Sequence, residues 1–491
     1  MAKIPGRKSD LLFGDCYTFF TNPQNKFMEL FGQLVQEKGP LFRIWIGPFT
    51  GTIHICSWKY AEEIFNSNIH IDKSSLYSFL HSWLGTGLLT STGDKWHLRR
   101  KMLTPAFHRF ILDGFQEVFI DKSDTLLKIL ETKRSQSQVF DIAPHIWQCS
   151  LDIICETAMG TKMNIQGNVS KEDAAYLTAI SFAAETGLHR IMRPWLHPKF
   201  IFDLTSRGRA YNKSVKIMHA FSNKVIQSRK EEYFQFKQME LNSSLSATGR
   251  DNEVKDVGIT KRRKAFIDIL IEAAFAEGHE KNLLLSDEDI REEVDTFMFE
   301  GHDTTASGIS WTIYLLGLHP EIQDEVAAEL KEVFGEEKFK STQKLSELRL
   351  LDRCIREAQR LYPSVPSIAR KLREDVKLGD YTLPAGGELF IHVYYMHHDK
   401  EVFPEPDKFN PDNFLPEACE KRHPFSFVPF SAGARNCIGQ KFAMQEAKTV
   451  VASIVNKYRI ESVQSPKELA LLPELILRSE SGIKIRLHPR K

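Results

Sequence analysis

The chain has 491 residues, 42% of them hydrophobic and 26% charged, with 65 Lys and Arg against 64 Asp and Glu. This balance describes a globular protein large enough to bury a core and a cofactor, and it excludes a disordered or fibrous chain. A formal net charge of +1 gives no reason to expect a nucleic-acid partner.

Seven dispersed cysteines with no C-x-x-C spacing argue against a disulfide framework or a zinc cluster and fit a reducing compartment. No stretch approaches the ~18 consecutive apolar residues of a spanning helix. The first 30 residues also lack a signal-peptide core. The chain opens on Lys3-Ile4-Pro5-Gly6 and is not expected to cross a membrane.

Residues 41–47 and 52–57, apolar or alternating around Pro48 and Gly51, predict a β-hairpin. From Trp58 to about residue 235 the pattern is helical, broken at Gly85, Gly87, Pro105, Gly160, Pro194 and Pro198. Residues 239–264 are polar and rich in Ser, Gly and Asn, which predicts a solvated loop. The basic run at 261–264 reads as a wet helix start. Ser286, followed by Asp287, Glu288 and Asp289, predicts a helix to about Leu318, roughly 50 Å at 1.5 Å per residue.

Pro320 begins the next helix, and residues 346–362 form another. Residues 363–436 are Pro- and Gly-rich, with short strands near 388–394. A helix follows Cys437, and the tail at 467–489 returns to short strands. There is no internal repeat. The expectation is a mainly α fold with a minor β-sheet region assembled from both ends of the chain. One domain would then span 1–491, with 1–57, 366–394 and 467–489 forming the small β region. Residues 58–365 and 395–466 would form the helical core.

The string Phe430-Ser431-Ala432-Gly433-Ala434-Arg435-Asn436-Cys437-Ile438-Gly439 carries the sharpest chemistry. A lone cysteine before a helix is most often buried and inert. Here Gly433 and Gly439 permit close backbone approach, and peptide N–H groups can then point at the sulfur. The positive end of the following helix stabilises a thiolate. Five fixed positions in F-x-x-G-x-R-x-C-x-G should match by chance in on the order of one chain in ten thousand of this length.

This string is similar to the haem-binding signature of the cytochrome P450 superfamily. The resemblance implies the cytochrome P450 fold, with Cys437 as thiolate ligand to the iron of haem b. It also implies a role for Arg435 at a haem propionate and for Phe430 beside the ligand loop. A thiolate donates electron density that favours O–O cleavage.

Residues 293–305 (EVDTFMFEGHDTT) place Gly301 in mid-helix, which costs about 1 kcal/mol relative to Ala. Thr304 and Thr305 can bond back to i−4 carbonyls and distort the helix further, so a groove is expected there. By resemblance, Thr304 and Asp303 are the alcohol and acid that deliver protons during oxygen activation. Glu300 lies four residues before Thr304, hence on the same face, among Phe297, Met298 and Phe299. A carboxylate there is either satisfied or reactive, because burying it unpaired is costly. The segment resembles cytochrome P450 family 4, the fatty-acid ω-hydroxylases and their insect and vertebrate relatives. In many of these the equivalent Glu is esterified to a haem methyl, which implies the same for Glu300.

Glu357 and Arg360 match the family's E-x-x-R, 80 residues before Cys437 (437 − 357). Their i, i+3 spacing suits a bidentate structural pair. The family's third scaffold residue is an Arg in P-E-R-F, but this chain has Pro411-Asp412-Asn413-Phe414. Asn413 keeps hydrogen bonds and lacks the charge, so a full triad is not expected. Trp96 and Arg100 match W-x-x-x-R, and Arg370 matches a further propionate arginine.

No G-x-G-x-x-G follows a strand, since Gly85-Thr86-Gly87 runs into Leu88-Leu89-Thr90. Electrons must therefore come from a partner, which the resemblance makes NADPH-cytochrome P450 reductase, with cytochrome b5 as a second donor. Arg99, Lys101 and Lys441 are candidate contacts. Residues 192–202, with Trp195, Phe200 and Phe202, suggest peripheral membrane contact. The expected location is the cytosolic face of the endoplasmic reticulum membrane, the family's anchor being absent from this chain.

The expected reaction is monooxygenation of a small lipophilic substrate, with fatty acids or related lipids attacked at or near the chain end. Xenobiotics or terpenoid and steroid hormones form a second substrate class. A haem-thiolate isomerase or dehydratase would need no dioxygen or reductase, and Asp303 and Thr304 argue against it; a haem sensor or electron carrier would need neither the helix groove nor a long substrate channel.

Overall fold

In a computed structural model, describing residues 3–7, 10, 12–48, 50–136, 138–167, 170–247, 265–275, 285–335, 337 and 339–490, helix α1 (Phe27–Lys38) leads into the expected hairpin. Strands β1 (Leu41–Ile46) and β2 (Thr50–Ile55) are antiparallel, with Leu41 opposite Ile55. Helices α2 (Gly93–Leu103), α3 (Ala143–Thr157) and α4 (Ser206–Ala247) follow. The chain then forms α5 (Asp287–Leu318) and α6 (Arg349–Leu361), followed by β3 (Ile368–Lys371) and β4 (Glu388–Ile391). Next come α7 (Gln440–Lys457), β5 (Tyr458–Ser462), β6 (Leu471–Pro473), β7 (Leu477–Ser479) and β8 (Lys484–Pro489).

The first sheet has the order β1-β2-β4-β3, with β2 and β4 parallel and the other neighbours antiparallel. The tail strands do not join it, contrary to the expected sheet built from both chain ends. β8 lies between β5 and the two-residue strand Phe140–Asp141, while among the described residues β6 pairs only with β7. The reason lies in the alternation of β8: Ile485 and Leu487 are buried beside Ile460, in the same core as α5. The hairpin and β3–β4 bury a separate cluster around Ile53, Leu389 and Ile391.

Helix α4 runs to Ala247, so residues 239–247 are helical, not loop. No Gly or Pro lies between Gly208 and Gly249, and the Leu and Ala residues of this stretch favour a helix. The rest of that expected loop, including the basic run at 261–264, lies outside the described residues.

Helix α5 starts as its sequence dictates. Ser286 accepts from the Asp289 N–H while the Asp289 carboxylate accepts from Ser286, a capping box that satisfies two helix-end donors. The helix is buried along most of its length and crosses α3 where Gly301 meets Ile154. A Cβ at Gly301 would stand 2.6 Å from Ile154 Cδ1. The glycine therefore permits close helix packing as well as bordering the site cavity.

Behind the site, Glu357 and Arg360 form a salt bridge of 2.7 Å with neither side chain exposed. Arg360 also donates to the carbonyls of His397, Pro406 and Lys408. Glu357 accepts from the Asn410 N–H and from Asn413 Nδ2, each at 3.0 Å. Asn413 thus fills the scaffold position by hydrogen bonding alone. Arg422, which sequence reasoning missed, donates to the Asn413 carbonyl and lies over the Phe403 and Phe414 rings. It places a second cation near Glu357 from a different stretch of chain.

Glu446 of α7 is fully buried and accepts from Ser150 of α3, leaving its second oxygen without a partner. Burial pushes its carboxyl up to about 8, and the Ser150 hydroxyl offsets only part of this. In the unfolded chain the same group ionises near pH ~4.3. Between those values the folded state holds a proton that the unfolded state has lost, so stability falls as pH rises from about 4 to about 8. Asp295, also pushed up to about 8 by burial, acts in the same direction. Glu446→Gln is expected to flatten this decline, raising the melting temperature at pH 8 more than at pH 5 when both proteins are scanned by calorimetry.

Candidate active site

Cys437 sits three residues before α7, at the end of a tightly constrained loop. Its N–H donates to the Phe430 carbonyl at 2.9 Å. Ser431 has φ 57° and Gly433 φ 69°, both left-handed. At Gly433 only a glycine fits, since a Cβ would lie 1.9 Å from the Phe65 carbonyl oxygen. Arg100 of α2 clamps the loop from outside, donating to the Asn436 carbonyl and side-chain oxygen at 2.8 and 2.7 Å.

The Cys437 side chain is surface-accessible yet enclosed by protein, because its surface opens into a cavity. That enclosure pushes its thiol up to about 11. The Gly439 N–H turned toward the sulfur and the nearby Arg100 charge lower it, while Glu300 raises it. The cavity has a volume of about 380 Å³, within the range of small-molecule sites. Cys437, Phe430, Gly439, Arg435, Trp96 and Arg100 line one side, and Glu300, Gly301, Thr304 and Thr305 of α5 line another.

Buried cations gather at one edge. Arg435 stacks its guanidinium 4.3 Å from the Trp96 ring centroid and donates to the carbonyls of Ile71, Leu88 and Ser91. Three of its five donors are therefore spent on backbone. Burial, with repulsion from Arg370 next, brings Arg435 down to about 9. Arg370 is buried on β3, and its backbone bridges to Lys73, which sequence reasoning missed. The bridge puts both side chains on one side of the ladder. Lys73 is held well below the usual lysine range by burial first, then by Arg370 and Arg435. Lys73, Arg100 and Arg435 thus line the cavity with Arg370 behind them, a predicted site residue that does not itself line it. Among the described residues Glu300 and Glu474 are the carboxylates on its wall. This is the donor set for a dianion, and with the Cys437 thiol in the same cavity it fits haem and its two propionates.

Glu300 faces the cavity, and among the described residues its carboxylate accepts no hydrogen bond. Burial pushes it up to about 7, with Lys73 drawing it down and Asp303 pushing it further. Thr304 Oγ1 donates to the Glu300 carbonyl at 2.7 Å and Thr305 Oγ1 to that of Gly301 at 3.0 Å, the back-bonds expected to distort the helix. Ser364, absent from the sequence-based list, donates to the Thr304 carbonyl at 2.8 Å.

Asp303 departs from the expectation. It does not line the cavity but turns away, paired with Arg478 of β7 at 2.6 Å and accepting from Trp147 of α3 at 3.0 Å. Arg478 is 30% exposed, so the pair links the helix beneath Thr304 to the surface. Arg99 also departs from its expected role. It is buried and bonded to Asp289 at 2.5 Å, leaving Lys101 and Lys441 as the exposed members of that group.

Comparison with known proteins places these features in context. The cytochrome P450 family model matches residues 6–487. The chain is 43% identical to cytochrome P450 4c3 of Drosophila melanogaster, over 99% of this chain and 89% of that protein. It is also 43% identical to human cytochrome P450 4V2, over 94% of this chain and 86% of that protein. Identity to cytochrome P450 4c21 of Blattella germanica is 39%, over 100% of this chain and 94% of that protein.

Lys73→Met separates the two states of the site. Without a dianion, removing a buried cation is expected to raise the melting temperature of the haem-free protein. With haem bound, loss of a charge-assisted bond is expected to speed haem transfer to an acceptor globin by about ten-fold or more. Both shifts are read by thermal scans and by the globin absorption band.

Proposed function

The chain belongs to the cytochrome P450 family and is a haem-thiolate monooxygenase, and on that premise we propose that it hydroxylates fatty acids or related lipids at or near the chain end. The observation that carries this reading is the cavity itself. Its walls are mostly apolar, and Glu300 and Thr304 border it together with Cys437. Bound haem supplies a redox iron at which RH + O₂ + 2e⁻ + 2H⁺ becomes ROH + H₂O.

The protein's own groups divide the remaining work. Cys437 would hold the iron, its thiolate form gaining from the Gly439 N–H and Arg100. Lys73, Arg100, Arg370 and Arg435 would bind the propionates, with Trp96 stacked on Arg435. Thr304 holds a proton at Oγ1 on the cavity wall. The Asp303–Arg478 pair would carry replacement protons in from the surface.

Electrons come from a protein redox partner, and the substrate is lipophilic. We assign the donor role to NADPH-cytochrome P450 reductase, with cytochrome b5 as a second donor, through a face bearing Lys101 and Lys441. Leu12, Trp195, Phe200 and Leu204 are exposed and supply apolar surface for peripheral contact with the endoplasmic reticulum membrane. Phe202 does not contribute, because it is buried against Tyr211 and Arg190. Among the described residues no helix is long and apolar enough to cross a membrane.

The reduced, CO-bound haem protein is expected to absorb at the position typical of thiolate ligation, and Cys437→His to move the band to that of histidine-ligated haem. With reductase, NADPH and medium-chain fatty acids, terminal or near-terminal alcohols are expected; exclusively internal alcohols would refute the regiochemistry.

With haem bound, Glu300 on the cavity wall would be the residue to form an ester with a haem methyl. One methyl C–H bond would be exchanged for C–O, a two-electron oxidation for which turnover with dioxygen and reductase would supply the oxidant, the methyl hydrogen and the proton of a protonated Glu300 carboxyl both leaving to solvent as protons. After turnover, acid extraction is expected to leave haem attached to the protein, and Glu300→Ala to release it unmodified. Freely extractable haem from the unaltered protein would overturn the ester.

A further inference from the structure

The turn between β6 and β7 brings Glu474, Leu475 and Ile476 to the cavity wall. It is fastened to its surroundings at Leu477, whose N–H donates to the Ser364 carbonyl at 2.8 Å. The Leu477 carbonyl accepts from Ser307 of α5 at 3.0 Å. Leu475 packs at Gly187 of the helix Lys171–Ile191, whose Leu188 and Ile191 also border the cavity. An apolar stretch of wall thus carries one carboxylate.

That carboxylate is poorly compensated. The Glu474 side chain is 9% exposed, and among the described residues it accepts no hydrogen bond. Its ion-pair partner is Arg478, whose Nε lies 3.6 Å away, too far for a hydrogen bond. Arg478 spends Nη2 on Asp303 instead, at 2.6 and 2.7 Å from the two oxygens. One guanidinium therefore serves two carboxylates, and Glu185, the next acid, is itself paired with Arg207 at 2.7 Å. Burial pushes Glu474 up to about 7, with Arg478 drawing it down and Glu185 and Asp303 pushing it further. The group is charged well above that pH and neutral well below it.

The charges elsewhere on the wall give this acid its consequence. Among the described residues Lys73, Arg100 and Arg435 are the cations that line the cavity, and all three are assigned to the propionates. His54 and His392 line it too, and burial keeps both neutral. Glu300 acts on Lys73 and on Cys437, whereas Glu474 acts on Arg478's side of the wall. Attack at the chain end puts the methyl at the iron and the head group toward the far wall. A fatty carboxylate placed so meets a like charge with no lining cation left to it. An alcohol meets an acceptor to which its O–H can donate.

We propose that Glu474 is a specificity-determining residue that disfavours lipid anions and selects lipids with a neutral, hydrogen-bond-donating head, long-chain alcohols in preference to fatty carboxylates. The proposal rests on the lipid-hydroxylase reading above and narrows its substrate class.

The test uses the haem-loaded protein and spectral titration with 1-decanol and decanoate, at about pH 6 and about pH 8.5. Decanoate is ionised at both, since a free carboxyl loses its proton near pH ~4.3. At the higher pH decanol is expected to bind about ten-fold tighter, the scale of one like-charge contact. Lowering the pH should tighten decanoate by about the same factor and leave decanol almost unmoved. Glu474→Gln should tighten decanoate about ten-fold at the higher pH and remove its pH dependence, with the CO-bound band in place. Glu474→Leu should do the same for decanoate and weaken decanol about five-fold, because it cannot accept a hydrogen bond.

Decanoate affinity that neither variant raises overturns the proposal while the lipid reading stands. So does a pH dependence that persists in both variants, which would belong to Glu300, a group also pushed up to about 7. If neither ligand perturbs the haem spectrum of a protein with the thiolate CO band, the lipid reading fails and this proposal falls with it.

Discussion

The buried Glu357–Arg360 pair is the constraint on which the site depends. Two charges without solvent contact are costly unless every remaining donor and acceptor is used. Here they are used on the polypeptide itself. Arg360 gathers the carbonyls of His397, Pro406 and Lys408, and Glu357 gathers the Asn410 N–H and the Asn413 amide. A stretch with little regular structure of its own is thereby held to α6. His397 Nε2 then accepts the Val428 N–H, two residues before Phe430 opens the cysteine loop. Breaking the pair would strand a buried charge and release the backbone that presents Cys437.

The electrostatics of the cavity follow from what surrounds that loop. Lys73 is depressed by Arg370 and Arg435, and Arg435 by Arg370 and Arg100, while Glu300 and Asp72 offer the opposite sign. Such a cluster is unfavourable by itself and becomes favourable when a dianion enters. Haem is therefore part of the fold's charge balance as well as the seat of the chemistry, and a monooxygenase built this way gains stability by loading its cofactor.

The polar groups of the cavity act by committed hydrogens. Thr304 is tied to the Glu300 carbonyl, and Asp303 is turned outward to Arg478. Each group's role is set by a neighbour that can only accept or only donate. This is why Asp303, adjacent in sequence to Thr304, serves a different surface from it.

Much of this was legible in the sequence, because it depends on local spacing. The F-x-x-G-x-R-x-C-x-G string, E-x-x-R and the Ser286 cap are read by residues a few positions apart, and a turn or a helix face follows directly from such spacing. The hairpin at 41–55 and the 32-residue helix Asp287–Leu318 were equally clear.

What only the tertiary structure decided involves partners far apart along the chain. Lys73 joins the cations through a bridge to Arg370, Arg422 supports Asn413, and Arg99 is buried on Asp289. The tail strands pair with Tyr458–Ser462 and not with the N-terminal hairpin. No periodicity carries such information, since the cost of burying a charge or a strand edge is met by whichever distant group the fold brings to it.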